Sequence, residues 1–351
     1  MEILILGGTG AMGTPLVNLL KKSGHELYVT SRKKVTSSNE MHYIQGNAKD
    51  NNFFESLMRK NYDVIIDFMI YTPDELKKRL DKILSHTKQY FFFSSSRVYA
   101  QAEGAVTEKS PRLLDVCSDQ IYLQTEEYAL VKAREEDLLK NHKQQNWTII
   151  RPYITYNNQR LQLGVYEKEN WLYRAMKGRT IIFPKDIAKS KTSLTYGPDV
   201  AAVIINLIGN QDALGRIFQI VNDEVATWEN ILEIYLDIIE KKMNKRPKVK
   251  MIDNSDGLQK VWSPWQIKYD RLFDRIFDNN KIEKICGKYN YRSMESGLHE
   301  CLSSFLDNPQ WLNFNWRYEA WADKQAQEHT PLGEIEGIKT KARYVKWRYL
   351  S

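Results

Sequence analysis

In the first part of the chain, short apolar runs alternate with segments in which apolar residues recur at helical spacing, as in a parallel α/β protein. Apolar runs about as long as one strand occur at 2–6, 26–30, 41–45, 63–68, 90–96 and 147–151. Segments with the apolar spacing of helices lie between them, at 15–20, 52–59 and 74–85. Because strands alternate with helices, the pattern predicts a doubly wound parallel sheet that binds its ligand at the carboxyl ends of the strands.

A glycine-rich turn separates the first strand from the first helix. Gly7, Gly10 and Gly13 follow the apolar run directly, in the order that a dinucleotide site requires. The first glycine permits the tight turn, the second lets the backbone approach a pyrophosphate, and the third lets the helix pack on the sheet. Three glycines alone are a weak signal, but their place at the end of a strand favours a dinucleotide site over a glycine turn without a ligand.

The residues after the second strand indicate which dinucleotide is bound. Ser31, Arg32, Lys33 and Lys34 stand there, and no acidic residue is among them. Enzymes that bind NAD usually carry Asp or Glu at this point to hold the ribose 2′-hydroxyl, whereas an arginine accommodates the 2′-phosphate of NADP. The sequence therefore favours NADP over NAD, with a solvated basic turn as the alternative.

Composition narrows the classes of protein further. The chain has 351 residues, enough for about two domains, and its 42% hydrophobic and 27% charged residues are ordinary for a globular protein. No apolar run is long enough to span a membrane, and the N-terminus lacks the features of a signal peptide, so we expect a cytoplasmic protein without membrane contact. The three cysteines are widely spaced and no histidine stands at ligand spacing, which argues against a disulfide framework and a metal site.

Two motifs further along the chain resemble those of the extended and atypical short-chain dehydrogenase/reductases, which include NAD(P)-dependent nucleotide-sugar epimerases, dehydratases and reductases. The first is Ser94-Ser95-Ser96-Arg97-Val98-Tyr99, and the second is Tyr128-Ala129-Leu130-Val131-Lys132. Segments 150–153, 197–201 and 215–222 extend the likeness to about residue 240. The resemblance implies a Rossmann fold. Together with the glycine-rich turn after the first strand and the basic turn after the second, it implies a set of residues that contact the cofactor. They are Gly7, Thr9, Gly10, Ala11, Met12, Gly13, Ser31, Arg32, Phe68, Lys132 and Pro152.

The second motif, Tyr128 to Lys132, also predicts a chemical role from its residue types and spacing. Tyr128 and Lys132 stand four residues apart and so share one face of a helix. A free phenol is protonated at neutral pH, and a nearby ammonium favours its phenolate form. We expect Tyr128 to act as the acid/base, Lys132 to favour its phenolate, and Ser95, which the family pattern selects ahead of Ser96, to orient the reacting oxygen. The alternative is a packing tyrosine with a lysine four residues later by chance.

Arg97 separates two subclasses of the family that the chain resembles. Sugar 4,6-dehydratases carry Asp-Glu directly after the serine strand, to move protons at the carbons beside the keto group. Here Ser96 and Arg97 take that place, which disfavours a standard 4,6-dehydratase. Arg97 is either an exposed surface residue or a partner for a substrate phosphate.

The likeness also predicts the division of the chain. We expect residues 1–155 to form the Rossmann domain, with 191–222 returning to it. Residues 156–190 and 223–351 then form a smaller mixed α/β substrate lobe and a C-terminal extension. Segment 157–169 lacks hydrophobic periodicity and predicts a mobile substrate loop, while Asp199 and Thr227 are predicted helix caps.

The C-terminal part is rich in tryptophan and ends in a basic segment. Six of the nine tryptophans lie in 253–351, where a small core is favoured over a surface that stacks on sugars or bases. Residues 339–348 hold five cations and no acid, with Tyr344 and Trp347 among them. A solvated strand or tail is favoured here over a contact with phosphate or RNA.

Two hypotheses on function follow. The leading one is an NADP(H)-dependent epimerase or reductase that transfers hydride at a sugar carbon of a nucleotide sugar. The alternative is a non-catalytic or RNA-binding protein on the same fold, suggested by the formal charge of +7 and the basic C-terminal segment. RNA is the less favoured partner, and a homodimer is left open.

Overall fold

The structure, a computed structural model, describes residues 1–38 and 40–350. It divides into two compact units. Unit 1 consists of Met1–Thr155, Leu194–Asp223 and Phe277–Arg292, and unit 2 of Tyr156–Ser193, Glu224–Ile276 and the residues from Ser293 onward. Residues 277–292, which the sequence pattern assigned to the C-terminal extension, therefore belong with the Rossmann part of the chain.

The secondary structure follows the predicted alternation. The strands are β1 (Glu2–Leu6), β2 (Glu26–Ser31), β3 (Met41–Gln45), β4 (Tyr62–Asp67), β5 (Thr87–Phe93), β6 (Trp147–Pro152), β7 (Thr155–Tyr156), β8 (Ile181–Pro184), β9 (Lys191–Thr192), β10 (Thr195–Tyr196), β11 (Arg216–Ile220), β12 (Ala226–Thr227) and β13 (Val249–Ile252). The helices are α1 (Gly13–Lys21), α2 (Asn51–Leu57), α3 (Pro73–Ser85), α4 (Leu113–Val116), α5 (Gln120–Leu123), α6 (Tyr128–Lys140), α7 (Lys168–Met176), α8 (Lys185–Lys189), α9 (Gly197–Ile205), α10 (Trp228–Met243), α11 (Asp256–Gln259), α12 (Pro264–Gln266), α13 (Asn280–Cys286), α14 (Met294–Asp307), α15 (Trp316–Ala326) and α16 (Ile338–Val345).

Unit 1 is a doubly wound parallel sheet of seven strands in the order β11-β6-β5-β4-β1-β2-β3. Alternate side chains of β1 enter two separate cores, because successive side chains of a strand point to opposite faces. Ile3 and Ile5 pack in the core that contains side chains of α1 and α9, while Leu4 and Leu6 pack in the core that contains those of α2 and α3. Both faces are covered, which confirms the predicted Rossmann fold.

Unit 2 is the smaller mixed α/β unit, with two short strand pairs and most of the C-terminal helices. Strands β8 and β13 pair in parallel, and β9 pairs with β12 in the antiparallel sense. The predicted cap Thr227 opens α10: its side chain accepts the backbone N–H of Asn230, and the Asn230 side chain accepts the N–H of Thr227. Partly buried tryptophans pack with other rings, as in the triangle of Tyr166, Trp262 and Tyr318 with ring centroids 4.7–5.7 Å apart. These rings form a core, as favoured from the sequence.

The basic C-terminal segment is a helix rather than the solvated strand or tail that its charges suggest. In α16, Tyr344 is buried, and its hydroxyl donates to the Asp323 carboxylate of α15 over 2.6 Å. Arg174 of α7 binds the same carboxylate and that of Glu319, both over 2.8 Å. The buried tyrosine ties the segment to this ion-pair network, and Arg348 adds hydrogen bonds to the Glu328 carbonyl over 3.0 and 3.1 Å. Ser351 lies outside the described residues.

Two further expectations are corrected. Asp199 does not cap α9, which begins at Gly197 because Pro198 suits the first turn of a helix. Instead, Asp199 accepts the Tyr289 hydroxyl over 3.0 Å and the Arg292 N–H over 2.8 Å. The predicted substrate loop 157–169 is largely buried from residue 161 onward, and its last residues belong to α7.

Residues 1–38 and 40–350 lack two kinds of feature. No helix there combines the length and the apolar character needed to cross a membrane. The same residues contain no group of three or more His, Cys, Asp or Glu side chains placed to hold a metal ion.

Candidate active site

The glycine turn has the geometry that its sequence predicts. Gly7 has φ +71°, a conformation that glycine adopts without steric cost, and its N–H donates to the Thr30 hydroxyl of β2 over 3.1 Å. A Cβ on Gly13 would lie 2.7 Å from the carbonyl carbon of Gly8, so the first turn of α1 requires a glycine there. A Cβ on Gly10 would meet no atom within 4 Å, so the protein itself gives no reason for glycine at this position. Close approach of a ligand would supply one.

A cleft of about 420 Å³ opens beside this turn, at the carboxyl ends of β1, β2 and β4. Of the predicted cofactor residues, five line it: Gly7, Thr9, Ser31, Arg32 and Phe68. Phe68 is stacked on Phe93, with ring centroids 4.2 Å apart, which fixes its position at the cleft wall. Asn47 and Lys49 line the cleft as well, and the sequence analysis did not single them out. The feature of the sequence that could have identified them is the Gly46-Asn47 pair, which directly follows β3.

Arg32 lies at the rim of this cleft as an exposed side chain. Within residues 1–38 and 40–350 its guanidinium makes no ion pair, whereas Lys49 across the cleft is 3.4 Å from the Glu75 carboxylate. The cleft therefore offers an unneutralised, planar cation to an anionic ligand.

The three serines after β5 have different partners. Ser94 donates its hydroxyl to Glu136 over 2.6 Å, and Ser96 donates to the Arg151 carbonyl over 2.9 Å, so both side chains are committed to the protein interior. The Ser95 hydroxyl accepts the Arg97 N–H over 3.2 Å, and no acceptor for its own proton is found among the described residues. Of the three, Ser95 is the one whose hydroxyl proton has no acceptor among the described residues.

Arg97 connects this serine segment to Tyr128. Its guanidinium lies 5.3 Å from the centroid of the Tyr128 ring and forms an ion pair with Glu127, the residue before that tyrosine. Both charged side chains of the pair are largely buried. Arg97 is thus neither the exposed residue nor the free phosphate partner considered from the sequence. It packs on Tyr128 and its backbone N–H contacts Ser95.

Tyr128 begins α6, and Lys132 follows one turn later, as predicted. The Tyr128 side chain is 36% exposed, and its hydroxyl makes no hydrogen bond within the described part of the chain. Lys132 is only 2% exposed, and its Nζ lies 6.0 Å from the centroid of the Tyr128 ring and 3.0 Å from the Glu135 carboxylate. The phenol is accessible to a ligand, and the ammonium is held beside it by a buried carboxylate.

A second buried carboxylate, Asp67 at the end of β4, lies near the same lysine. It accepts the hydroxyls of Tyr71 and Tyr90, each over 3.0 Å, and the N–H of Met69 over 2.9 Å. Burial raises the pKa of Asp67 to about 6, although these hydrogen bonds and the charge of Lys132 oppose the shift. Burial also raises the pKa of Glu135, against the charge of Lys132. Neither acid was singled out from the sequence.

An ion-pair network lies behind the serines. Glu136 accepts Nε and Nη2 of Arg151 over 2.7 and 2.5 Å, and Nη1 of Arg112 over 3.3 Å. Burial would raise the pKa of Glu136, but Arg151 and the Ser94 hydroxyl outweigh it, and the pKa is lowered. Because this carboxylate also accepts Ser94, the network fixes the start of the serine segment.

The remaining predicted cofactor residues lie around these elements. Gly10, Ala11 and Met12 continue the glycine turn, with Met12 packed against the core. Pro152 is the buried last residue of β6. Two residues later, Ile154 has φ +30°, a strained conformation for a β-branched residue, and its carbonyl accepts the N–H of Thr195 over 3.1 Å.

The chain is similar to several known proteins. The chain is 27% identical over 247 residues to the chloroplast stem-loop binding protein of 41 kDa b from Arabidopsis thaliana, and the match spans 66% of the chain but only 61% of that relative. Among solved structures, it is similar to dTDP-glucose 4,6-dehydratase from Bacillus anthracis in complex with NAD, with a TM-score of 0.67, 15% identity and coverage of 89% of this chain and 98% of that one. It is also similar to UDP-glucuronic acid 4-epimerase from Bacillus cereus in complex with UDP-glucuronic acid and NAD, with a TM-score of 0.63, 14% identity and coverage of 87% and 100%.

At these identities the solved structures show the fold, and the family rests on a separate match. The model of the NAD dependent epimerase/dehydratase family matches residues 3–220, which is more than half of the chain. The chain therefore belongs to the NAD dependent epimerase/dehydratase family.

Proposed function

We propose that the protein is an NADP(H)-dependent epimerase or reductase that acts at a sugar carbon of a nucleotide sugar. The observation that carries the proposal is the placement of Tyr128. Its accessible phenol lies beside the buried Lys132. Arg97 contacts both the Tyr128 ring, through its guanidinium, and the Ser95 hydroxyl, through its backbone N–H. Family membership and the cleft beside the glycine turn support it.

Each residue has a separate role in this proposal. The bound dinucleotide supplies or accepts the hydride. Tyr128 passes a proton to or from the sugar oxygen as hydride moves at the carbon, and Ser95 donates its hydroxyl proton to hold that oxygen in place. Lys132 places its positive charge beside the Tyr128 ring, and Glu135 keeps the ammonium in position.

The preference for NADP rests on Arg32. Its guanidinium is unpaired among the described residues and lines the cleft together with Ser31, as a site for a 2′-phosphate requires. The similar solved structures named above contain NAD, so the preference needs its own test. We expect Arg32→Ala to weaken NADPH binding by on the order of tenfold and to leave NADH binding unchanged. Equal loss for both dinucleotides, measured by fluorescence titration, would contradict the preference.

The reaction is tested by Tyr128→Phe. The variant should retain NADPH affinity but lose turnover by on the order of 10²–10⁴-fold, the usual worth of a general acid/base. UDP-glucuronic acid and dTDP-glucose are the first probes, and product formation is followed by mass spectrometry. Tyr349→Phe, at a tyrosine that is 60% exposed in unit 2, is the matched control and should keep full turnover. Equal turnover of the wild type and Tyr128→Phe would refute the assignment.

RNA binding is the second candidate function. It is favoured by the similarity to a relative named for stem-loop binding and by the net charge of +7. It predicts affinity for an RNA stem-loop that falls steeply with salt. Absence of binding at low salt would exclude it. Deletion of residues 339 onward would not be a clean test, because α16 is joined to the buried Asp323 through Tyr344.

A further inference from the structure

A second concave surface of unit 1 lies at the edge of the sheet opposite to the glycine turn. It is a pocket of about 630 Å³ bordered by Trp147 and Arg216, the first residues of β6 and β11. All strands of the sheet are parallel, so these amino ends lie at the edge away from Gly7 and Ser95, which follow carboxyl ends. The pocket is therefore separate from the proposed active site.

The pocket is strongly basic. Lys109, Arg216, Lys281 and Lys284 line it, and none of the four makes an ion pair with a residue in 1–38 or 40–350. Lys140 lines it too, but its ammonium already lies 3.6 Å from Asp137. Elsewhere in unit 1 exposed lysines often have a carboxylate partner, as Lys49 has Glu75 and Lys60 has Glu2. Four cations without an ion-pair partner among the described residues therefore border this one pocket.

The two acids of the pocket are engaged with neutral groups. Glu108 accepts the backbone N–H of Gln219 over 3.0 Å, and burial raises its pKa, which disfavours its negative charge. Asp278 accepts the backbone N–H and the side-chain amide of Asn280 over 2.7 and 2.9 Å. Neither carboxylate lies within ion-pair distance of the four unpaired cations in the described structure.

Lys281 is the centre of this arrangement. It is partly buried on α13, and its Nζ lies 5.2 Å from the centroid of the Phe218 ring. Burial lowers the pKa of Lys281, and the charges of Arg216 and Lys109 act in the same direction while Glu108 opposes them. A bound anion would relieve the repulsion among these cations, whereas a neutral ligand would not.

The geometry points to a second ligand site, in which Lys109, Arg216, Lys281 and Lys284 bind the phosphate groups of a nucleotide or of an RNA strand. The several cations around one pocket suit a ligand with more than one phosphate, because each phosphate can take charge-assisted hydrogen bonds from a different side chain. If the ligand is RNA, the inference rests on the second candidate function. If the ligand is a free nucleotide, the inference is independent of both candidate functions.

The test uses the full chain and two neutralised pairs of lysines. Lys281→Gln/Lys284→Gln removes two charges from the pocket and keeps the aliphatic stems. Lys77→Gln/Lys78→Gln removes two charges from exposed, unpaired lysines of α3 and is the matched control. The probes are a labelled single-stranded RNA, followed by anisotropy, and ATP, followed by calorimetry, each over a range of KCl concentrations. NADPH binding is measured on every variant as a check on the fold and on the other site.

We expect the pocket variant to bind at least one probe on the order of tenfold more weakly than the wild type at moderate salt. For RNA, the slope of log K against log salt should also shrink by about 1.4, since each phosphate contact to a single strand contributes about 0.7. The control pair should change neither quantity, and NADPH binding should stay constant throughout. Loss for RNA alone identifies a strand as the ligand, and loss for ATP alone identifies a free nucleotide.

Two results would overturn the inference. One is that neither probe binds the wild type at low salt. The other is that the pocket variant and the α3 variant weaken binding equally, which would mean diffuse attraction instead of a site. If RNA binds the wild type and the pocket variant with equal affinity, the second candidate function stands and the pocket is not its site.

Discussion

Each unit buries an ion-pair network, and the two networks support different parts of the molecule. In unit 1, Glu136 of α6 binds Arg151 of β6 and Arg112, and it accepts the hydroxyl of Ser94. In unit 2, Arg174 of α7 binds Glu319 and Asp323 of α15, and Asp323 accepts the hydroxyls of Thr330 and Tyr344. The first network reaches the serine segment, and the second holds the C-terminal helix α16.

The comparison shows that a buried ion pair does not by itself mark a functional site. Both networks are desolvated, and both have several hydrogen bonds that offset the cost of burying charge. What differs is the group that each one positions. Removing a charge should therefore affect stability in both units, but affect chemistry only in unit 1.

The largest loss of stability is expected from Arg174→Met. The change leaves the buried carboxylate of Asp323 without its cation and leaves Glu319 with Arg179 alone. Breaking a buried pair in this way typically costs about 3–5 kcal/mol of the free energy of unfolding. Chemical denaturation measures the loss, and turnover per folded molecule should stay at the wild-type value. Arg246→Met is the control, because this arginine pairs with Glu233, Asp237 and Glu240 at the surface, where pairs contribute about 0–1 kcal/mol.

A smaller loss of stability, with a loss of turnover, is expected from Glu136→Gln. Glutamine keeps one oxygen for Ser94 but places an amide against the Arg151 guanidinium, which should cost about 2–3 kcal/mol. Because the new amide repels the Arg151 guanidinium, the side chain at position 136 moves and carries Ser94 with it. The adjacent Ser95 is then misplaced, and turnover per folded molecule should fall. Lower stability with unchanged turnover would show that the network of unit 1 serves stability alone and would erase the contrast between the units.

The smallest effects concern the dependence of stability on pH. The two units differ in the pH range over which their buried carboxyl groups change the free energy of unfolding. Burial raises the pKa of Asp67 in unit 1 from 3.8 to about 6, and that of Glu319 in unit 2 from 4.5 to about 7. For a carboxyl with a raised pKa, the contribution to stability is fully present below the unfolded value and is lost as the pH rises through the folded value. Asp67→Asn should make the free energy of unfolding fall less steeply between about pH 4 and pH 6. Glu319→Gln should do the same between about pH 4.5 and pH 7.

Each substitution should change the slope by on the order of 1 kcal/mol per pH unit within its window. Urea unfolding at a series of pH values checks both slopes. Parallel curves for the wild type and Asp67→Asn would mean that Asp67 is not the titrating group. The Glu319→Gln curve is read in the same way.

The sequence predicted the Rossmann sheet well because its signals are local. The apolar runs of β1 and β4 are buried on both faces, so the pattern of each run is sufficient to identify a strand. Gly7 and Gly13 were interpretable because turn and packing geometry restrict those positions to glycine. Tyr128 and Lys132 were found because four residues make one turn of a helix.

The rest depends on which elements meet, and no local pattern carries that information. The carboxylates around Lys132 come from β4 and from the same helix, so Asp67 in particular looks like an ordinary strand end in the sequence. The basic pocket joins residues near 108, 216 and 281, which become neighbours only when the sheet is complete. The basic C-terminal segment was mistaken for a solvated strand or tail because its attachments, the buried Tyr344 and the contacts of Trp347 and Arg348, are all to residues outside the segment.

The division of unit 1 into three separate stretches also has a consequence for synthesis on the ribosome. The stretch from Met1 to Thr155 contains six of the seven sheet strands, but β11 and α13 come from later parts of the chain. Until residue 220 has left the exit tunnel, the nascent sheet ends at β6, whose unpaired backbone groups form an open edge. At about 5–20 residues per second, that edge stays open for several seconds in each round of translation. It is the surface that chaperones would need to protect.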